Sequence, residues 1–275
     1  MEIENKVSKT EDSVKRGKLI MLSLLIGLSI FVQTLIKQQD LEVTRILIIA
    51  LIYLGGSFLG LIWAFDFQVK IKSLSFLLQS SLFVMSEYLF VQLFFVGKFS
   101  RIYEGILLLI LVALVSIGTY ISFLMANVFN VNLYKSIPLA NVGRTTSYII
   151  STLSLFFLTF SLLSLQPAIY ILLPLQLLIS IFFTYIHLRV LGYEGYVLNR
   201  KVMLVSLIVF IMFISSFLTG IIHEVSALSP TVGYFVGIGM ANIKSDKKEN
   251  HWETLSYILA LIGAIILNFV LNIFA

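Results

Sequence analysis

The sequence predicts an all-α protein, a bundle of transmembrane helices, and three observations support this fold class. Hydrophobic residues make up 59% of the 275 residues and charged residues only 12%, whereas soluble domains carry about 25% charge. The mean hydropathy is +1.01. The apolar residues also fall into long stretches, each about the 17–25 residues that a helix needs to cross a bilayer. A soluble fold would have to bury all of these helices in one impossibly large core.

We interpret nine such stretches as membrane spans. In chain order they are Leu19–Ile36, Ile46–Trp63, Leu74–Val96, Ile106–Ala126, Ser147–Leu165, Ala168–His187, Val202–Ile222, Val225–Ile243 and Leu255–Phe274. Residues 1–18 form a charged segment before the first span, and residues 19–275 are predicted to form a single helical domain, because the short loops leave no room for a soluble one. The first stretch is longer than the core of a signal peptide and lacks a small-x-small cleavage site. We therefore expect it to stay uncleaved as the first membrane helix.

The positions of the basic residues predict the orientation. If the N-terminus is cytoplasmic, 15 of the 19 Lys and Arg residues lie on the inner side and 4 on the outer side. Cytoplasmic loops of membrane proteins carry this excess of positive charge. We therefore predict a cytoplasmic N-terminus and an external C-terminus.

The eighth stretch, Val225–Ile243, is the least regular because it contains Pro230 and several glycines. It either crosses the membrane or forms a re-entrant loop. Without a crossing, the three lysines that follow it would lie outside, and the distribution of positive charge would become 12 to 7, which favours the crossing. Its small residues, among them Gly233 and Gly237, recur mostly four apart, a spacing that predicts close packing against another helix.

Glu87 lies near the middle of the third span. An ionised carboxylate is costly there, so we expect the side chain to be protonated, paired or in contact with water inside the bundle. It is a candidate for a proton relay or a cation site. Alternatively, it is a structural residue that hydrogen bonds to Gln79, Gln92 or a neighbouring helix.

His223 and Glu224 form a second candidate, at the outer end of the seventh span. They do not belong to a His-Glu-x-x-His zinc motif, because position 227 is Ala. His187 and His251 are predicted on the inner side and cannot complete a metal site with them. The pair is either solvated at the membrane surface or sensitive to protons.

The third candidate is the predicted cytoplasmic connection from Ala126 to Ser147. Lys135 and Arg144 flank Pro138 in it, and Gly143, Arg144 and Thr145 open the fifth span, where free amides and a basic side chain could hold a phosphate. Alternatively, its asparagines cap helix ends and its basic residues follow the charge rule of cytoplasmic loops.

The same connection resembles a known family. The run Asn127-Val-Phe-Asn-Val, followed by Ser136-Ile-Pro-Leu and Arg144, is similar to an uncharacterised family of small bacterial polytopic membrane proteins, a domain of unknown function. The resemblance implies no activity, substrate or site residue. Leu139-Ala140-Asn141 stands where such motifs often carry another basic residue.

These patterns favour a small permease or channel in the cell membrane, with a bacterial inner membrane as the expected location. A structural or assembly subunit that binds another membrane protein or itself is the alternative. An intramembrane enzyme acting on lipid-linked substrates is disfavoured, because the predicted outer loops offer no recognisable set of catalytic residues. The chain lacks cysteine, which excludes disulfides and thiolate chemistry. We predict no metal site and no cofactor. We also predict no nucleic-acid partner, because no basic face alternates with exposed aromatic residues.

Overall fold

A computed structural model describes residues 2–35, 42–95, 101–132, 140–219, 223–242 and 250–274. Within these ranges the chain forms α-helices joined by short turns, and no residue lies in a strand. The helices are α1 (Glu2–Leu35), α2 (Val43–Ala64), α3 (Leu74–Phe90), α4 (Arg101–Asn132), α5 (Ala140–Leu165), α6 (Ile169–Val190), α7 (Gly195–Thr219), α8 (His223–Asn242) and α9 (Asn250–Phe274). A 3₁₀ turn, Ile71–Ser73, precedes α3, and a π-helical turn, Val91–Phe95, follows it.

The all-helical class is thus confirmed for the described residues. Seven helical segments are long and apolar enough to cross a membrane, and each overlaps one of the first seven predicted spans. They lie in α1, α2 and α4 to α7, and in α3 together with its two flanking turns. This is the composition of a multi-pass membrane protein. The apolar part of α9 that the structure describes, Thr254–Ile266, is shorter. Helix α8 is rich in small and polar residues, so the crossings by α8 and α9 stay predictions.

The chain divides into two compact units, Met1–Ile150 and Ser151–Ala275. In the first unit, α1 packs against α2 and α4, while α3 packs against α2 and α4. Helix α3 has the largest share of buried residues of the seven candidate spans and the lowest mean hydropathy. The most polar helix is therefore the most enclosed one, which places its polar side chains where other helices can satisfy them.

The turn after α2 is held by ion pairs from α1. The amides of Asp66 and Phe67 donate to the carbonyls of Trp63 and Ile62, both at 3.0 Å, which is the Schellman pattern of a helix end. Asp66 has a left-handed φ of 54°, where glycine is the usual residue. The Lys18 ammonium hydrogen bonds to the Asp66 carboxylate and lies 5.2 Å from the centre of the Trp63 ring. These contacts tie the start of the first span to the end of the second.

In the second unit, α7 packs against α6, α8 and α9. Helix α8 approaches α7 through its glycines. A Cβ atom at Gly233 would lie 3.0 Å from Cγ of Met212, and one at Gly237 would lie 2.9 Å from Cγ1 of Val205. Both glycines are buried, so the two helices touch almost through their backbones at these levels.

The α6–α7 connection and the end of α8 meet in one cluster. Gly192 takes a φ of 89°, and the amides of Gly192 and Tyr193 close a second Schellman turn on the Arg189 and Leu188 carbonyls. The Lys201 ammonium lies 3.8 Å from the centre of the Tyr193 ring and hydrogen bonds to the Ala241 carbonyl near the end of α8. A cation at this end is favourable, because free carbonyls and the helix dipole make it negative.

The predicted long connection between the fourth and fifth spans is shorter in the structure. Helix α4 continues to Asn132 and α5 begins at Ala140, so only residues 133–139, which lie outside the described residues, separate the two helices. Asn130 is buried within α4. Its amide accepts a hydrogen bond from the Ser73 hydroxyl at 2.9 Å and donates to the Gln68 carbonyl at 3.0 Å. It therefore holds the α2–α3 turn rather than forming a turn of its own.

Candidate functional site

The first candidate is the polar face of α3, inside the first unit. Six polar side chains of α3 and its π-helical turn are less than a tenth exposed. They are Gln79, Ser80, Ser81, Ser86, Glu87 and Gln92. In a bilayer every buried polar group needs a partner from the protein, since lipid tails supply none. The partners of these side chains therefore define what this face can do.

Glu87 contacts α4. Its Oε2 accepts a hydrogen bond from the Thr119 hydroxyl at 2.8 Å. A Cβ atom at the neighbouring Gly118 would lie 2.7 Å from Oε1 of Glu87, so the absence of a side chain at Gly118 makes room for the carboxyl group. Glu87 is 6% exposed. It thus faces the helices of its unit, and its partner is a neighbouring helix rather than either glutamine.

Gln79 and Gln92 hydrogen bond to helices other than the one that contacts Glu87. The Gln79 amide donates to the Ser147 carbonyl and hydroxyl at 3.1 and 3.2 Å, which links α3 to the first part of α5. The Gln92 amide donates to the Thr34 hydroxyl at 3.4 Å, which links it to α1. Each glutamine therefore joins α3 to a different helix.

A pair of stacked tyrosines connects α3 with α2 and α1. The rings of Tyr53 on α2 and Tyr88 on α3 stack with their centres 4.7 Å apart. The Tyr53 hydroxyl lies 2.9 Å from the Ser29 hydroxyl and 3.3 Å from Oε1 of Gln33. Hydroxyl groups can both donate and accept hydrogen bonds. Tyr88 follows Glu87 in the chain but contacts α2, whereas Glu87 contacts α4, because successive helix residues point in different directions.

The π-helical turn Val91–Phe95 directly follows α3. Such turns are rare and occur often at functional sites, because they break the regular hydrogen-bond ladder of a helix. Gln92 is the second residue of this turn and is buried. The irregular backbone therefore begins one turn of helix beyond Glu87.

This arrangement can bind a proton or take part in binding one cation. Its chemistry is that of one carboxyl group with one hydroxyl partner. Over the residues that the structure describes, no group of three His, Cys, Asp or Glu side chains is placed to hold a metal ion. Acid–base catalysis by two carboxylates would need a second acid, and among the Asp and Glu residues whose side chains the structure describes, Glu87 is the only buried one.

The other predicted residues are not brought to this face. Arg144 is exposed in the first turns of α5, and Lys135 and the side chain of Glu224 lie outside the described residues. His223 is the first residue of α8 and lines a cavity in the second unit. Gly233 and Gly237 lie at the α7–α8 contact. The binding roles predicted for these polar residues stay predictions.

Sequence reasoning missed the residues that complete the Glu87 environment. Gly118 and Thr119 belong to a small and polar stretch, from Ser116 to Ser122, in the otherwise apolar fourth span, and that stretch was the available signal. It also missed His187, which is 3% exposed on α6 with its ring 6.5 Å from that of Tyr234. Depth along a span can be read from a sequence, but the helix that a residue faces cannot.

No protein-family model, curated protein or solved structure matches this chain. The resemblance of the Asn127 run to a family of unknown function therefore stays a prediction. The candidate function rests on the geometry alone.

Proposed function

We propose that this protein is a small permease in which Glu87 binds and releases the proton or cation that accompanies transport. The observation that carries the proposal is the enclosed carboxyl group beside Thr119 and Gly118. Ionisable residues within membrane spans are rare because they are costly, and they mark ion pathways and proton relays. The neighbouring π-helical turn supplies irregular backbone, and Thr119 supplies a hydroxyl group in direct contact with the carboxyl group.

We further propose that the chain crosses the membrane nine times, with a cytoplasmic N-terminus and an external C-terminus. The support is the charge distribution along the sequence together with the position of α8, which packs against α7 and α9. A helix enclosed by other helices does not need the hydropathy of a helix that faces lipid. A bacterial inner membrane is the proposed location.

The proposal is tested by transport in liposomes. Purified protein is reconstituted with the pH-sensitive dye pyranine inside, and internal pH is followed after a K⁺/valinomycin potential is imposed. The assay is repeated with Na⁺, Mg²⁺ and a mixture of amino acids outside. We expect protein-dependent acidification under at least one condition and its loss in Glu87→Gln, since glutamine keeps the hydrogen-bond acceptor but cannot exchange a proton.

Asp66→Asn is the matched control, because it also replaces a carboxylate by an amide but lies in the turn after α2, 43% exposed in its side chain. It should transport like the parent. Equal transport by the Glu87→Gln variant and the parent, or flux no faster than in protein-free liposomes, contradicts the proposal.

A structural or assembly subunit is the second candidate. The observation that favours it is that Gln79, Ser80 and Asn130 each link two segments of the first unit by a hydrogen bond, which is how polar residues hold membrane helices together. In this case Glu87→Gln should leave every property unchanged, and a membrane protein or a second copy of the chain should co-purify stoichiometrically with the parent.

A further inference from the structure

A cavity of about 320 Å³ lies in the second unit, apart from Glu87. It lies where α5 ends, α6 begins, α7 ends and α8 begins. Leu162, Leu163, Leu172 and Phe217 form its apolar wall, and Gln166 and His223 are among its polar residues. Ligand sites in proteins have volumes of about 300–1,000 Å³ and combine an apolar lining with few polar groups. This cavity meets both criteria at the small end of the range.

The cavity lies at the ends of candidate membrane spans, which is where the edge of a hydrocarbon layer would be. Three of the candidate spans have an end beside it, at Leu165, Ile169 and Leu218. A cavity at this level can be reached by a molecule with its chain among lipid tails and its head in the interfacial region. A water-soluble solute lacks the apolar chain, and a hydrocarbon chain without a polar group lacks the head.

The backbone at the mouth of the cavity is strained. Gln166 is exposed and has a φ of 46°, a left-handed conformation that glutamine rarely adopts. The backbone amide of Gln166 donates to the Leu163 carbonyl at 3.3 Å, and Pro167 follows. Such strain costs on the order of 1–3 kcal/mol and recurs where a ligand is held. Here it turns the chain between α5 and α6 so that Gln166 lies at the cavity with His223.

We propose that the cavity binds one lipid-like amphiphile, with the end of a single alkyl chain against the leucines and Phe217 and an oxygen-bearing head hydrogen bonded by Gln166 and His223. An imidazole and a primary amide both offer donors to such a head. The head belongs either to a free fatty acid or to a monoacyl phospholipid. This site does not depend on the role of Glu87, which lies in the other unit.

The test is photolabelling of the full chain in nanodiscs. A fatty acid and a monoacyl phospholipid, each with a diazirine on the chain, are applied separately, and labelled peptides are mapped by mass spectrometry. We expect labelling of the peptides that carry Leu162–Leu172 and Phe217–Ser226, and competition by the unlabelled amphiphile. The probe with the higher affinity identifies the source of the head.

Filling the cavity should remove the label. Leu172→Trp should lower the affinity by about tenfold or more, since each 1.4 kcal/mol of lost binding is tenfold. Leu162 is only half-buried, so Leu162→Trp provides a second filled variant that is easier to fold. Leu178→Trp is the matched control on α6, at a position 63% exposed, and should label like the parent. His223→Leu should weaken both probes.

Two results would overturn the proposal. One is labelling spread evenly over the lipid-facing sides of the helices, with no excess at the cavity peptides, which would indicate surrounding lipid only. The other is unchanged, competable labelling in a folded Leu172→Trp or Leu162→Trp protein, as judged by size-exclusion elution. Unchanged affinity in His223→Leu would refute the assignment of the head group to the imidazole.

Discussion

A Cβ atom added at Gly237 on α8 would lie 2.9 Å from Cγ1 of Val205 on α7. Both residues are buried, and Val205 is 0% exposed. Any larger side chain at position 237 must therefore separate the two helices or displace Val205. This contact is the structural counterpart of the small-residue spacing in the eighth stretch.

The first prediction follows from that contact. Gly237→Leu should lower the free energy of unfolding by about 1–3 kcal/mol, the usual cost of overpacking a core. The measurement is thermal unfolding in detergent, with yield as a second readout. Gly56→Leu is the matched control, because a Cβ at Gly56 meets no other residue within 4 Å. Equal melting temperatures for both variants and the parent would contradict the packing seen here.

The second prediction concerns the Thr119–Glu87 hydrogen bond. Thr119→Val keeps the shape of the side chain but removes the hydroxyl donor. We expect a loss of stability of about 0.6 kcal/mol and at most about 1.7 kcal/mol, the range measured for hydrogen bonds between membrane helices. Thr119→Ser keeps the donor and should stay close to the parent. If Thr119→Val and Thr119→Ser lower the free energy of unfolding by the same amount, the hydroxyl does not bind Glu87.

The third prediction is a pH dependence set by Asp66. The hydrogen bond from Lys18 is the main cause that lowers the pKa of the Asp66 carboxyl, and the charges of Lys18 and Lys15 add to it. Because the pKa is lower in the folded state, this contribution is fully present above the ordinary Asp pKa of about 3.9. It is lost as the pH falls through the folded-state value. Its size should stay within about 1 kcal/mol, since the pair is solvent-exposed.

Asp66→Asn isolates this effect, because asparagine also tolerates the left-handed backbone of position 66. The variant should be less stable than the parent at pH 7 and equal to it at a pH below the folded-state pKa. The difference at pH 7 should shrink in high salt. Thermal unfolding at several pH values measures it, and a difference that persists at the lowest pH would exclude the ion pair as its cause.

The fourth prediction concerns topology. A reporter that is active only outside the cytoplasm should be active when it is fused after Ala275. A reporter that is active only in the cytoplasm should be silent at the same position. A fusion after Glu194, in the α6–α7 turn, should give the opposite pattern, since that turn is predicted to be cytoplasmic. A cytoplasmic signal after Ala275 would contradict nine crossings and make the eighth stretch re-entrant.

Hydropathy predicted the helical class and the positions of seven apolar helices, because each of those helices has apolar residues along its exposed as well as its buried surface. Hydropathy was less informative about the residues at which the helices begin and end. The seventh span was placed from Val202, whereas α7 begins at Gly195, because Arg200 and Lys201 do not interrupt a helix. The long connection before the fifth span was likewise mostly helical, since asparagines such as Asn130 can hydrogen bond from within a helix.

The sequence indicated that Glu87 lies inside a membrane span but did not identify its partner. Depth follows from position along one span, whereas the Thr119 contact depends on the rotation of α3 against α4. The cavity beside His223 was out of reach for the same reason, because its lining comes from the α5–α6 junction and the α7–α8 junction, and the sequence does not show that these two junctions meet. The spacing of Gly233 and Gly237 was more informative, since small residues on one face of a helix limit how it can pack.

The enclosure of α3 has a consequence for how the protein is made. Its polar side chains are satisfied by α1, α4 and α5, and two of those helices are synthesised after it. A newly made α3 alone in lipid would expose Glu87 and its glutamines to hydrocarbon, at a cost of several kcal/mol. We therefore expect α3 to stay at the translocon until α4 emerges, and the two helices to enter the bilayer as a pair.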